Sequence, residues 1–481
     1  MWGSMRSCLR LFAGWLALAQ LLPAPASRAA ALEWVERSNR FANELLSAQG
    51  PFEPLTLSFF GIPGFDDQVP DLGPGAGERF RAVTRQARDR LAQAMETETD
   101  ARVRQDLAIM IASADEEIRR SELEERRMLP YADVGQVVYQ SVAGLLANRQ
   151  DDATRQNAQR RLARFAGQLP DTRPFTELLE ARYTEAKQED PARLRPVRQA
   201  IEQELANWEK YLAGIRVLLA EHELAAARPA VDALELQLRK HAEWLRAEVL
   251  PEARQDFRLP PELYAQALRT RGIKIEPEAL IQQAQIAFAE IRNELQTVAA
   301  LVARERGWPE KDYPAVIRKL KQEQLGPEQI LPYYREVIAA VEEIIRREQL
   351  VALPDRPMQI RLATEAESAA QPAPHMDPPP MVNNAGEMGT FVLPLGNPTA
   401  GGPAERYDDF TYRAAAWTLV AHEGRPGHEL QFASMVERGI SIARFYFAFN
   451  SVNVEGWALY AEAELKPFEP LEGNWWRCSS G

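Results

Sequence analysis

With two cysteines and five histidines in 481 residues, the chain has little material for disulfides or histidine-rich tracts. Cys8 lies in what reads as a cleaved leader, which leaves Cys478 alone and excludes an intramolecular disulfide framework. Basic charge is also in deficit. The 57 Lys and Arg face 69 Asp and Glu, a formal net charge of -12, so there is no basic footprint for nucleic acid. Long apolar runs are missing as well: Leu11 to Leu22 is too short to span a membrane, and no other segment approaches that length.

That run belongs to a signal-peptide pattern over residues 1–29. Arg6 and Arg10 supply the positive region, and Ala24-Pro25-Ala26-Ser27-Arg28-Ala29 the small-residue cleavage zone. Cys8 precedes the apolar run, which is the wrong place for a lipid anchor. Cleavage is expected between about Ala26 and Leu32. Loss of Arg6, Arg10 and Arg28 takes the net charge from -12 to -15. The expectation is an acidic periplasmic or secreted protein.

What is present is mostly helical periodicity. Leu280, Ala284, Phe288, Ile291, Leu295, Val298 and Val302 step by three and four, one apolar stripe on a helix that Pro277 opens. Similar stretches cover roughly 76–128, 135–168, 174–187, 191–226, 229–250 and 327–349. Breaks fall at Pro170, Pro191, Pro229, Pro251, Pro260 and Pro309. With 46% hydrophobic residues and no internal repeat, residues 30–352 read as a helical body. The fold class is mostly α, and residues 30–481 read as one continuous domain.

The pattern changes after Pro354. Met358 to Leu362 alternates as a short strand, Gln371 to Met381 is a proline-rich loop, and Gly389 to Leu393 is a second strand. Residues 353–481 thus hold a small sheet followed by helices. Asp408 or Asp409 is expected to cap the helix carrying Tyr412, Ala416, Leu419 and His422.

Chemistry concentrates on that helix. His422-Glu423-Gly424-Arg425-Pro426-Gly427-His428 holds two of the five histidines, and Glu455 and Glu462 follow within 35 residues. Two imidazoles and a helix-borne carboxylate, with a second acid adjacent, are the parts of a catalytic zinc site. Glu423 would be the general base. Histidines four apart lie about 40° apart around a helix, whereas six apart gives roughly 120°, too far for one ion. Pro426 and Gly427 are expected to break the helix, so that His428 swings back toward His422. The competing reading is a helix end with two incidental histidines. Glu455, among Val454, Trp457, Ala458 and Leu459, needs a partner. Glu462, seven residues on, fits a solvated helix face. His222, His241 and His375 lie outside the cluster and read as surface or core residues.

The segments AWTLVAHEGRPGHELQF and NVEGWALYAE, with Phe257 to Ile291 and Gly389-Thr390-Phe391-Val392, resemble a bacterial family known as domain of unknown function 885. Those proteins are similar to zincin metallopeptidases of the gluzincin type. The resemblance implies a large multi-helix zincin-like fold with a small sheet beside the active-site helix. It makes His422, His428 and Glu455 zinc ligands and Glu423 the base, and it implies a peptide substrate. Zincins bind the substrate backbone along an edge strand, for which Met388 to Pro394, with Gly389, Thr390, Phe391 and Val392, is the candidate. Arg444 would pair with a substrate carboxylate or form a structural ion pair. Arg425 and Asn450 are weaker candidates.

The resemblance extends from about residue 30 to Gly473 and fails over Asn474 to Gly481, where family members continue with further helices. Two expectations follow from that departure. The part of the cleft wall where zincins keep an oxyanion-stabilising residue is incomplete. Trp457, Leu459, Tyr460, Phe468, Trp475 and Trp476 form an apolar patch that favours aggregation or a dimer through this end. The leading functional expectation is a zinc-dependent oligopeptidase or carboxypeptidase. The alternative is a non-catalytic helical metal-binding protein, and a hydrolase of non-peptide amides is a third reading.

Overall fold

A computed structural model describes residues 25–147, 151–354, 356–394, 396–397, 405–406 and 409–470. Residues 1–24, Asp408, Trp475, Trp476 and Cys478 lie outside the described residues. The fold is mostly helical, 68% helix and 4% strand, in line with the period-3.6 reading.

Two helical stretches divide where no proline stands. Residues 76–128 form Ala76–Thr97 and Ala101–Arg127, because the Asp100 carboxylate accepts from Arg102 N–H and caps a new helix. Residues 135–168 divide in the same way, with Asp151 accepting from Thr154 N–H ahead of Asp152–Phe165. Capping aspartates end a helical pattern as effectively as prolines, and a search for prolines passes over them.

Three apolar cores matter for the site. One joins the helices Pro277–Arg306 and Pro327–Glu348 to the sheet and to Leu419, Val420 and Ala421. A second fills the body between residues 134 and 242. The third packs the N-terminal helices, Pro25–Gln49, Ala76–Thr97 and Ala101–Arg127, against Phe432, Ile442 and Phe445. The chain passes from the first core to the third between residues 423 and 428. The helix Ser451–Leu465 then bridges them, with Val454 packed against the third core and Leu465 buried in the first.

The sheet has three strands, β1 (Gln359–Leu362), β2 (His375–Asp377) and β3 (Thr390–Leu393), in the order β1-β3-β2. β3 pairs parallel with β1, Ile360 opposite Phe391, and antiparallel with β2, Met376 opposite Phe391. This corrects the reading of Gly389 to Val392 as a free edge. Both edges of β3 are occupied, and a Cβ on Gly389 would lie 3.1 Å from the Asp377 carbonyl oxygen. The edge strands are β1 and β2, the latter inside the stretch read as a proline-rich loop. Three residues between prolines carry almost no alternation, and prolines are tolerated at a sheet edge.

Candidate metal centre

The helix Ala415–Glu423 is buried nearly all round, through Ala415, Ala416, Leu419, Val420 and Ala421. Its rigid seat in the first core fixes His422 and Glu423 at its last turn. It starts at Ala415, later than expected, and Asp409 is paired with Lys321 instead of capping it.

The expected break is present. The next helix, His428–Arg438, begins on the second histidine, and the intervening residues fold tightly against the first helix. A Cβ on Gly427 would lie 1.8 Å from the His422 carbonyl oxygen, so no other residue fits there. Six hydrogen bonds from two side chains also hold the linker. Trp457 Nε1 donates to the carbonyls of Pro426 and Gly427, each at 3.1 Å. Arg425 is fully buried, forked onto Glu429 at 2.6 and 3.2 Å and bonded to Glu342 at 2.7 Å and the Arg356 carbonyl at 2.9 Å. All three of its nitrogens are engaged within the fold, which argues against a role as a substrate ligand.

The result brings the imidazoles together, ring centroids 4.8 Å apart and nearly perpendicular. Glu455 completes the group: its Oε2 is 3.3 Å from His422 Nε2 and 3.6 Å from His428 Nε2. One ligand atom from each residue lies within 4.8 Å of the others. Glu462 then takes the far side of His422, its Oε1 2.6 Å from Nδ1. It is buried, not solvated, which corrects the sequence expectation. Residues seven apart share a helix face, so the carboxylates of Glu455 and Glu462 reach the two nitrogens of one ring.

The charges are set by burial. Burial lowers the His422 pKa, but the hydrogen bond it donates to Glu462 and the nearby carboxylates outweigh it and leave the value raised. His428 moves down, through burial and the adjacent His422, with Glu455 opposing. Glu423 is buried beside them, and desolvation pushes its carboxyl up to about 7 against the pull of His422. The nearby backbone of Met376, on β2, pulls the other way.

Other candidates lie elsewhere. Arg444 Nε donates to buried Asp106 at 2.8 Å, and its guanidinium stacks 4.8 Å from the Trp34 ring, so it is a structural ion pair. Asn450 caps the Ser451–Leu465 helix through Val452 N–H at 2.9 Å. His241 is buried against Glu180 at 2.7 Å, and His375 pairs loosely with Asp377 at 3.6 Å on β2. Glu462 and the Met376 backbone are the two elements that sequence reasoning missed. The seven-residue spacing was the available signal for the first; nothing local marked the second.

The donor set, two imidazole nitrogens and a carboxylate facing one point, fits a zinc or similar transition-metal ion. Of the described helices, none is long and apolar enough to cross a membrane. No curated protein is significantly similar to the chain. A solved structure described as "a putative lipoprotein of unknown function" from Shewanella oneidensis is similar, at 16% identity and a TM-score of 0.62. The match covers 93% of this chain and 80% of that one, and it shows a shared fold. The family profile described as "Bacterial protein of unknown function (DUF885)" matches residues 54–467, and the chain therefore belongs to that family.

Proposed function

We propose that the chain is a zinc-dependent hydrolase of peptide bonds, with a zincin-like site of the gluzincin type. One observation carries the reading: a buried carboxylate, Glu423, adjoins a His422–His428–Glu455 group whose ligand atoms converge. A purely structural ion needs no such neighbour.

His422, His428 and Glu455 would hold the metal. When bound, zinc supplies a Lewis acid that polarises a carbonyl and acidifies a water. Glu462 holds His422 through Nδ1, leaving Nε2 toward the centre. Glu423 accepts the proton that the attacking water loses and returns it to the leaving amine. Among the described strands, β2 has a partner on one side only. The Met376 backbone acts on the Glu423 carboxyl, which supports reading the open edge of β2 as the place where an extended peptide would add as a strand near the base. That edge takes the role first assigned to Gly389–Val392.

The lipoprotein description of the similar structure accords with an exported protein, and we read the location as periplasmic or secreted. The second reading, a metal-binding protein without turnover, is favoured by the 58% exposure of Glu455, which leaves the group open on one side. Metal analysis of the purified protein, with peptide-library digestion and a chelator control, separates the two. Chelator-sensitive cleavage that Glu423→Gln abolishes supports the hydrolase. Stoichiometric metal without cleavage supports the second reading.

A further inference from the structure

His422 meets a carboxylate at each ring nitrogen, Glu462 at Nδ1 and Glu455 at Nε2. His428 meets one only at Nε2, where Glu455 Oε2 stands 3.6 Å away. Its Nδ1 is buried and, among the described residues, has no hydrogen-bond partner. The nearest acceptors along the chain are committed elsewhere. The Gly427 carbonyl accepts from Trp457 Nε1 and from Gln431 N–H, both at 3.1 Å, which fills its two lone pairs. Glu429 is forked onto Arg425. A second orphan lies one turn further on: Gln431 Oε1 is also buried and without a partner among the described residues. Gln431 stands three residues after His428 on the helix His428–Arg438, so the two side chains are neighbours on one face. A helical side chain leans back over the preceding turn, which carries the Gln431 carboxamide toward His428. Burial and the adjacent His422 lower the His428 pKa, and the Gln431 side chain is among the groups that oppose them. An oxygen facing the ring has that sign.

We infer that Gln431 is a positioning residue of the metal centre: its carboxamide oxygen accepts the Nδ1–H of His428 and holds that ring with Nε2 toward Glu455 and the ion. The inference rests on the proposed metal-binding reading and adds to it the partner of the second histidine. A buried polar group left unpaired costs stability, and pairing these two with each other removes both costs. A metal-bound histidine ordinarily donates its other N–H to a carboxylate, a carbonyl or water, which fixes its tautomer and ring plane. Glu462 takes that place behind His422, and Gln431 takes it behind His428. The two partners differ in charge for a reason. Glu423, Glu455 and Glu462 already set carboxylates around the imidazoles, and a neutral amide fixes the second ring without adding another like charge. Gln431 touches neither ion nor substrate; its effect passes through His428.

Two measurements on the full chain test it: zinc affinity by competition with a chromophoric chelator, and nitrogen NMR spectra of protein labelled on its five histidines. In the zinc-loaded parent, His428 should carry its proton on Nδ1 and exchange it slowly with water. Gln431→Met keeps the length and the helix-forming character of the side chain but offers only a weak thioether acceptor. It should weaken zinc binding about 10- to 100-fold and speed exchange of the His428 Nδ1–H. Gln431→Glu keeps an acceptor at the same reach and should restore both, with circular dichroism unchanged in either variant. A freely exchanging Nδ1–H in the zinc-loaded parent overturns the inference without recourse to any variant. Parental zinc affinity in Gln431→Met overturns this role alone and leaves the metal reading standing. Equal losses in the two variants overturn it as well, since an acceptor then makes no difference. A parent that takes up no zinc overturns the metal reading and this role together.

Discussion

Glu462 Oε1 sits 2.6 Å from His422 Nδ1, while Glu455 Oε2 sits 3.3 Å from Nε2 of the same ring. One imidazole is therefore held between two carboxylates from one helix, a buried one behind and an exposed one in front. This fixes both the ring plane and the tautomer: with Nδ1–H donated to Glu462, the Nε2 lone pair points forward.

Glu462→Gln should consequently weaken metal binding about 10- to 100-fold without unfolding the protein, the usual cost of losing such a partner. Competition titration against a chromophoric chelator reads this directly. An unchanged affinity would show that Glu462 does not orient His422.

The direct ligands should behave differently. His422→Ala and His428→Ala are expected to abolish a stoichiometry of about one zinc per chain, and Glu455→Gln to reduce it. Glu423→Gln should retain the metal and lose turnover, since the amide keeps the shape but cannot accept a proton. Elemental analysis of the four variants decides the assignment, and equal metal loss in Glu423→Gln and Glu455→Gln would sink it.

Much of this site was legible because its signals are local. Two histidines six apart with Pro426-Gly427 between them predict a break, and the break is where the prediction puts it. The helical stripes were legible for the same reason, being periodic over many residues. Three things were not. The cap at Asp100 ends a helix without any change in composition. β2 is three residues among prolines, and its existence depends on β3, 13 residues away. The burial of Glu462 depends on the helix Ala415–Glu423, some 40 residues upstream. Glu462 was read as solvated because helix faces are assigned from sequence by hydrophobicity. A second-layer carboxylate breaks that rule for the sake of its histidine.

Gly427→Ala tests the linker geometry. The new methyl group would overlap backbone, with carbonyl oxygens at 1.8 and 2.4 Å, and backbone cannot rotate away as a side chain can. Its cost should be at least about 1–3 kcal/mol, the range for overpacking a tight site. Thermal unfolding should show a lower Tm and metal titration a weaker site. A variant matching the parent in both would mean that the linker is free to relax.

The last prediction concerns stability far from the metal. Glu204 is buried, its Oε2 accepting from Tyr131 Oη–H at 2.8 Å and its Oε1 from Val134 N–H at 3.1 Å. His241 Nε2 stands 3.6 Å from the same carboxyl, and Asp133 lies close by. Burial raises the pKa of both acids, and for Glu204 the proximity of Asp133 adds to the rise. The sign follows from linkage. Folded-state values above the unfolded ones mean that the native chain holds protons that the unfolded chain has released. Their stabilising contribution is complete below the unfolded carboxylate range near pH 4, and it is lost as pH rises toward the folded values. Glu204→Gln removes one of these titrating groups while keeping its size. Chemical denaturation between pH 5 and 8 should show stability falling with pH in the parent and a flatter profile in the variant. The gain in the variant at the alkaline end should be on the order of 1 kcal/mol. Parallel profiles would mean that Glu204 ionises in the native chain as it does in the unfolded one.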